Sequence, residues 1–170
     1  MKNKNKILTL SKKLMLSGVL LATISSNSYA GQGALTAGYT SASSGGVSTS
    51  GVSVGYGAYF GDTYKQSIGF TIDFLGENNS YNEEKGNLGN IYYNLGYEIL
   101  PDTIAYATIG YGFQALGSSA YATGLSSGVG IQYEINKNFS IDAGYKNFDL
   151  SNQDLKYDIK TTNLSLVFKY

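Results

Sequence analysis

The 170-residue chain contains no cysteine, no histidine, no tryptophan and no arginine. Without cysteine it can build neither a disulfide framework nor a lipid-bearing thiol anchor. Without histidine or cysteine, Ser–His catalysis, cysteine nucleophiles and histidine-bearing metal sites are excluded by composition. Proline occurs once, at Pro101, and charged residues make up 14% of the chain, against about 25% in an ordinary soluble domain. The charge is also uneven, because Lys2, Lys4, Lys6, Lys12 and Lys13 supply five of the twelve lysines within the first thirteen positions.

Those lysines precede a short apolar run, Leu14 to Ile24, and then Ser28-Tyr29-Ala30. A membrane-crossing helix needs about 20 apolar residues. A basic start, a shorter apolar core and small residues before a cut are the parts of a secretory signal peptide. Cleavage is therefore expected between Ala30 and Gly31, with residues 1–30 as signal peptide and 31–170 as one exported domain. That domain holds seven lysines against twelve Asp and Glu, a net charge of −5. It offers no basic patch for nucleic acid.

What the chain does have is glycine, 22 residues, tyrosine, 16 residues, and alternation with period two. Reading for that alternation gives eight segments of about ten residues, near 33–41, 50–60, 66–75, 87–99, 104–113, 123–135, 139–148 and 159–170. No stretch carries helical periodicity, so the fold class is all-β. The connections alternate in length: 43–49, 76–86, 114–122 and 149–158 read as longer loops, and 61–65, 100–103 and 136–138 as tight turns. Antiparallel strands joined up and down produce that pattern.

One face of each segment is nearly continuous in apolar residues, as in Ile91, Tyr93, Leu95, Tyr97 and Ile99. The other is small or polar, as in Asn90, Tyr92, Asn94, Gly96 and Glu98. A lipocalin-like barrel turns the apolar face inward; a membrane barrel turns it outward. A Gly-, Ser- and Thr-rich exterior with few charges suits water poorly. The aromatic residues gather near segment ends with aliphatic residues between them, as girdles at two bilayer interfaces do. Short turns at one end and longer loops at the other match the periplasmic and extracellular asymmetry of bacterial barrels, and the three observations together favour an eight-stranded transmembrane β-barrel with a polar lumen. Asp73, Glu98, Glu134, Asp142, Lys146 and Lys169 then face that lumen, where charges persist only when paired and hydrogen-bonded. Lys146 and Lys169 are expected to contact these carboxylates, with the hydroxyls of Tyr59, Tyr92 and Tyr106 beside them.

The stretches "GVGIQYEINKNFSIDAGYKNFDL", Gly128 to Leu150, "YATIGYGF", Tyr106 to Phe113, and the closing "NLSLVFKY" resemble strands of small bacterial outer-membrane barrels of the OmpA, OmpX and opacity-protein type. The resemblance spans residues 31–170 as pattern more than identity. It implies a bacterial outer-membrane location with both termini periplasmic, a monomeric state, and outer-membrane lipid and lipopolysaccharide as partners. It further implies handling by periplasmic chaperones and the barrel-assembly machinery, with Leu166, Phe168 and Tyr170 matching the family's C-terminal assembly signal. The peptidoglycan-binding domain that follows the barrel in long OmpA proteins has no counterpart here, so cell-wall tethering is not implied.

No cofactor is expected. Two acidic groups, Glu77, Glu83 and Glu84 in one loop and Asp149, Asp154 and Asp158 in another, are conceivable calcium ligands, without the spacing of an EF-hand and more simply read as solvated loops. The glycine string Gly55 to Gly61 has no helix after it and reads as strand, not as a phosphate loop. Two functions stay open: a non-enzymatic surface protein supporting envelope integrity or adhesion to a host or neighbouring surface, and a narrow pore for small solutes or ions.

Overall fold

The computed structural model describes residues 31–62, 64–76, 86–116, 120–152 and 155–170. The expected signal peptide with Ala30, and the acidic residues Glu77, Glu83, Glu84 and Asp154, lie outside the described residues.

Eight strands follow one another: β1 Gln32–Ser44, β2 Val47–Phe60, β3 Tyr64–Leu75, β4 Asn87–Leu100, β5 Thr103–Leu116, β6 Ala120–Glu134, β7 Phe139–Asn152 and β8 Leu155–Lys169. Each pairs antiparallel with its neighbours, and β8 returns to β1 from Ala34↔Lys169 to Ser43↔Lys160, closing the barrel. Closure leaves no edge to template another chain. The amide of Tyr170 donates to the carbonyl of Gly33 at 2.9 Å, so the last residue is held in the wall where β1 begins. We call this the terminal end and the opposite one the far end.

Side chains sort by parity. Leu125 is 64% exposed and Ile109 61%, whereas Asn90 is 1%, Ser126 2% and Asp73 6%. An apolar wall around a polar interior is inside-out for water, and its stable surroundings are hydrocarbon.

Three of the four longer loops expected from the sequence are mostly strand. The connection expected over 43–49 is a hairpin turned by Gly45 and Gly46 alone, at φ +57° and +83°, a left-handed pair that glycine adopts without steric cost. The expected loops over 114–122 and 149–158 shrink in the same way, since β5 runs to Leu116, β6 starts at Ala120, β7 runs to Asn152 and β8 starts at Leu155. The fourth expected loop, 76–86, joins β3 to β4, and its residues 77–85 lie outside the described residues.

The physical reason is an inversion of the alternation. Along β7 the outward residues Phe139, Ile141, Ala143 and Tyr145 are apolar. Beyond them the outward residues are Asn147, Asp149 and Ser151, and the inward ones are Phe148 and Leu150. On β8, Leu164, Leu166 and Phe168 point out, whereas Ile159 points in. Within this far-end collar, Ala42, Leu75, Leu88, Ala122, Phe148, Leu150 and Ile159 form one buried apolar cluster, flanked by Tyr157. On β7 and β8 the wall there is polar outside and apolar inside, as in a water-soluble barrel.

Candidate functional site

The interior is where the charged residues meet, and it is built in three tiers. At the terminal end, the Nζ of Lys169 on β8 pairs with the Oε1 of Glu134 on β6 and lies 5.0 Å from the ring centroid of Tyr59 on β2. Lys169 is buried, while the Glu134 side chain keeps 30% of its surface accessible. The Tyr59 hydroxyl donates to Gln132 Oε1 at 3.2 Å, and Gln132 Nε2 donates to Ser140 Oγ at 3.1 Å.

The middle tier surrounds Lys146 on β7. Its Nζ lies 5.0 Å from the centroid of the Tyr92 ring, and both Asp73 and Asp142 act on its charge. Ser53 is hydrogen-bonded to Asp73, and Tyr106 to Asp142. Asn163 Nδ2 donates to Asp142 Oδ1 at 3.1 Å. Higher up, Ser126 Oγ donates to Asn90 Oδ1 at 2.7 Å. Tyr106 occupies space that two neighbouring strands leave free: a Cβ at Gly130 would overlap its ring, and one at Gly144 would come within 3.0 Å of its hydroxyl. The glycine-rich inner face therefore makes room for the tyrosines that fill the lumen.

The third tier is the apolar collar cluster. Between it and the Lys169–Glu134 pair, the lumen encloses a void of about 30 Å³, bordered by Asp73, Asp142, Lys146 and Tyr92. That is room for about one or two water molecules.

Glu98 does not join these tiers. It is exposed where β4 bulges between Glu98 and Leu100, and its Oε1 accepts the Asp102 amide at 3.3 Å. Asp102 has φ +61° in the Pro101–Asp102 turn, so this carboxylate supports a turn at the barrel's mouth and reaches water. It shares the inward parity of its row partners Ile104 and Gln132, but it stands at the mouth, away from the paired charges. The other five members of the expected interior set fall into two groups, Lys169 with Glu134 and Lys146 with Asp73 and Asp142. The collar cluster was not anticipated.

Leu166, Phe168 and Tyr170 face outward at the terminal end. Phe168 stacks on Tyr170 with centroids 6.1 Å apart and packs on Phe139 at 5.1 Å. Asp149 and Asp158 stand directly opposite one another on the outer wall of β7 and β8. Among the described residues no group of three or more His, Cys, Asp or Glu is placed to hold a metal ion.

Comparison with known proteins agrees with this geometry. Residues 14–170 match the family model for the outer membrane protein beta-barrel domain. Neisserial surface protein A is 19% identical and superposes with a TM-score of 0.59, over 82% of this chain and 95% of that one. Ail, the attachment invasion locus protein of Yersinia pestis, solved with the heparin analogue sucrose octasulfate, is 19% identical at a TM-score of 0.52, over 82% and 99%. OprG from Pseudomonas aeruginosa is 12% identical at 0.50, over 83% and 96%. At such identities the likeness is one of fold. No curated protein matches the chain.

Proposed function

We propose that this chain, which belongs to the outer membrane protein beta-barrel domain family, is a sealed, non-enzymatic barrel that supports envelope integrity or surface contact through its outer wall and far-end collar. The family is one of the bacterial outer membrane. In this reading both termini face the periplasm and the collar stands outside the cell. The observation that carries it is the filled lumen: an ion pair, a tier in which Lys146 lies over the Tyr92 ring between the hydrogen-bonded carboxylates Asp73 and Asp142, and an apolar stopper follow one another along the axis, and the void among them measures about 30 Å³. A solute pathway needs a continuous water-filled channel, which an eight-stranded barrel packed with side chains does not provide.

Cells lacking the protein should therefore take up small hydrophilic solutes at the wild-type rate while becoming more sensitive to detergent or less able to attach to surfaces. Slower uptake, restored by supplying the protein again, would replace this reading with that of a pore.

Export through residues 1–30 belongs to the same proposal. Protein recovered from the outer membrane should begin at Gly31 on N-terminal sequencing. A start at Met1 would refute cleavage.

A further inference from the structure

The middle tier of the lumen carries more negative charge than its own residues balance. One row of paired residues crosses five strands, from Asp142 on β7 through Ser165, Gly38 and Ser53 to Asp73 on β3. It puts the two carboxylates on opposite walls. They also stand at different heights, because Asp142 is the fourth residue of β7 and Asp73 the tenth of β3, and both strands start from the terminal end. Lys146 supplies the tier's positive charge. Its ammonium lies over the Tyr92 ring and forms an ion pair with neither carboxylate.

The carboxylates are unequally provided for. Tyr106 and Asn163 hydrogen-bond to Asp142, whereas Asp73 has Ser53 alone among the described residues. Two negative charges thus face one positive charge, away from bulk water. A buried charge left over in that way is costly unless a counter-ion meets it.

The groups to hold a counter-ion are present. Thr71 and Thr161 border the same void as Asp73 and are 7% and 3% exposed, and their hydroxyls have no hydrogen-bond partner among the described residues. Unlike the amide oxygens of Asn94 and Asn163, these hydroxyls are not shut off from the void. With Asp73 they form a set of hard oxygen donors around a space of about 30 Å³, and hard cations take such donors.

We propose that this void seats one monovalent alkali cation, held by the Asp73 carboxylate and the hydroxyls of Thr71 and Thr161. Charge selects the valence. One positive charge brings the tier to neutrality beside Asp142 and Lys146, whereas calcium would leave it positive with a single carboxylate for a ligand. An anion would meet two carboxylates. Water fits the space but leaves the charge unbalanced. The inference goes beyond the proposed function and needs only the enclosed middle tier.

Because the lumen is filled on both sides of the void, the ion enters as the barrel folds, and the test loads it there. The barrel is refolded in thallium(I), a strongly scattering substitute for an alkali ion, and crystallised. One anomalous peak is expected beside Asp73. Asp73→Asn, which keeps the shape and removes the charge, should lose it. Asp142→Asn should lose it too, since Lys146 is then free to balance Asp73, and Glu134→Gln in the lower tier should keep it. No peak in wild type overturns the proposal. A peak that survives in Asp73→Asn or Asp142→Asn marks an adventitious ion only and overturns it as well.

Unfolding gives a second reading that needs no crystal. Wild type refolded in sodium chloride should unfold at a higher urea concentration than wild type refolded in choline chloride at the same ionic strength and pH, since an ion held by the folded barrel alone stabilises it. The difference should vanish in Asp73→Asn. Equal midpoints in the two salts give the void to water and overturn the site. A midpoint that follows pH and not the cation gives the balancing charge to a proton, with the same consequence. Conductance through a barrel that still binds the ion would overturn the sealed lumen instead and leave the site standing.

Discussion

Replacing Phe148 by alanine is expected to lower the unfolding free energy of the refolded barrel by about 3–5 kcal/mol, the usual cost of removing a fully buried phenylalanine. Phe148 is 1% exposed and packs with Leu88, Leu150 and Ile159 inside the collar. Because the wall outside it is polar at Asn147 and Asp149, its surroundings are those of a soluble core, and the soluble-protein magnitude applies. An outward aliphatic residue of the membrane belt, such as Ile109, keeps its hydrocarbon contacts through lipid in folded protein. Ile109→Ala is accordingly expected to cost less than Phe148→Ala. Urea titrations of the two variants decide: a loss below about 1 kcal/mol for Phe148→Ala would mean that the collar is not a packed core.

The second large effect is at Lys169. Removing one partner of a buried ion pair costs about 3–5 kcal/mol, because the remaining charge is left without compensation. Glu134 retains 30% accessibility, so water relieves part of that penalty and the expected cost of Lys169→Ala is at the lower end, about 3 kcal/mol. The double variant Lys169→Ala with Glu134→Gln should recover much of the loss, since no stranded carboxylate remains. Equal destabilisation of single and double variants would assign the effect to lost packing on Tyr59 instead.

Where the two sides of the wall differ in solvent, the fold was legible. Ile91, Tyr93 and Leu95 alternate with Asn90, Tyr92 and Asn94 because hydrocarbon lies on one side and a polar lumen on the other, and this assigned each residue to its side. Lys169, Glu134, Lys146 and Asp142 were likewise legible as interior, since charges facing lipid would be costly. Their partition into two groups was not, because it depends on the register of non-adjacent strands.

The collar was misread for a physical reason. Above the belt the outer solvent becomes water and the interior becomes dry, so Asn147, Asp149 and Ser151 look like loop residues. The signal was a change of phase: Tyr145 and Phe148 stand three apart, as do Leu88 and Ile91, where unbroken alternation allows only even spacing. Each such odd step marks the bilayer boundary on its strand. Gly45-Gly46, flanked by serines and threonines, was a hairpin signal hidden by the weak apolarity of its neighbours. Glu98 followed the alternation correctly, but parity says nothing about a bulge at the barrel's mouth.

The sealed lumen is tested most directly by single-channel recording of the refolded, intact barrel in planar bilayers. The three filled tiers predict a silent membrane, with no reproducible conductance steps. Reproducible open channels from the intact protein, unchanged when Glu134 or Lys169 is substituted, would contradict the account.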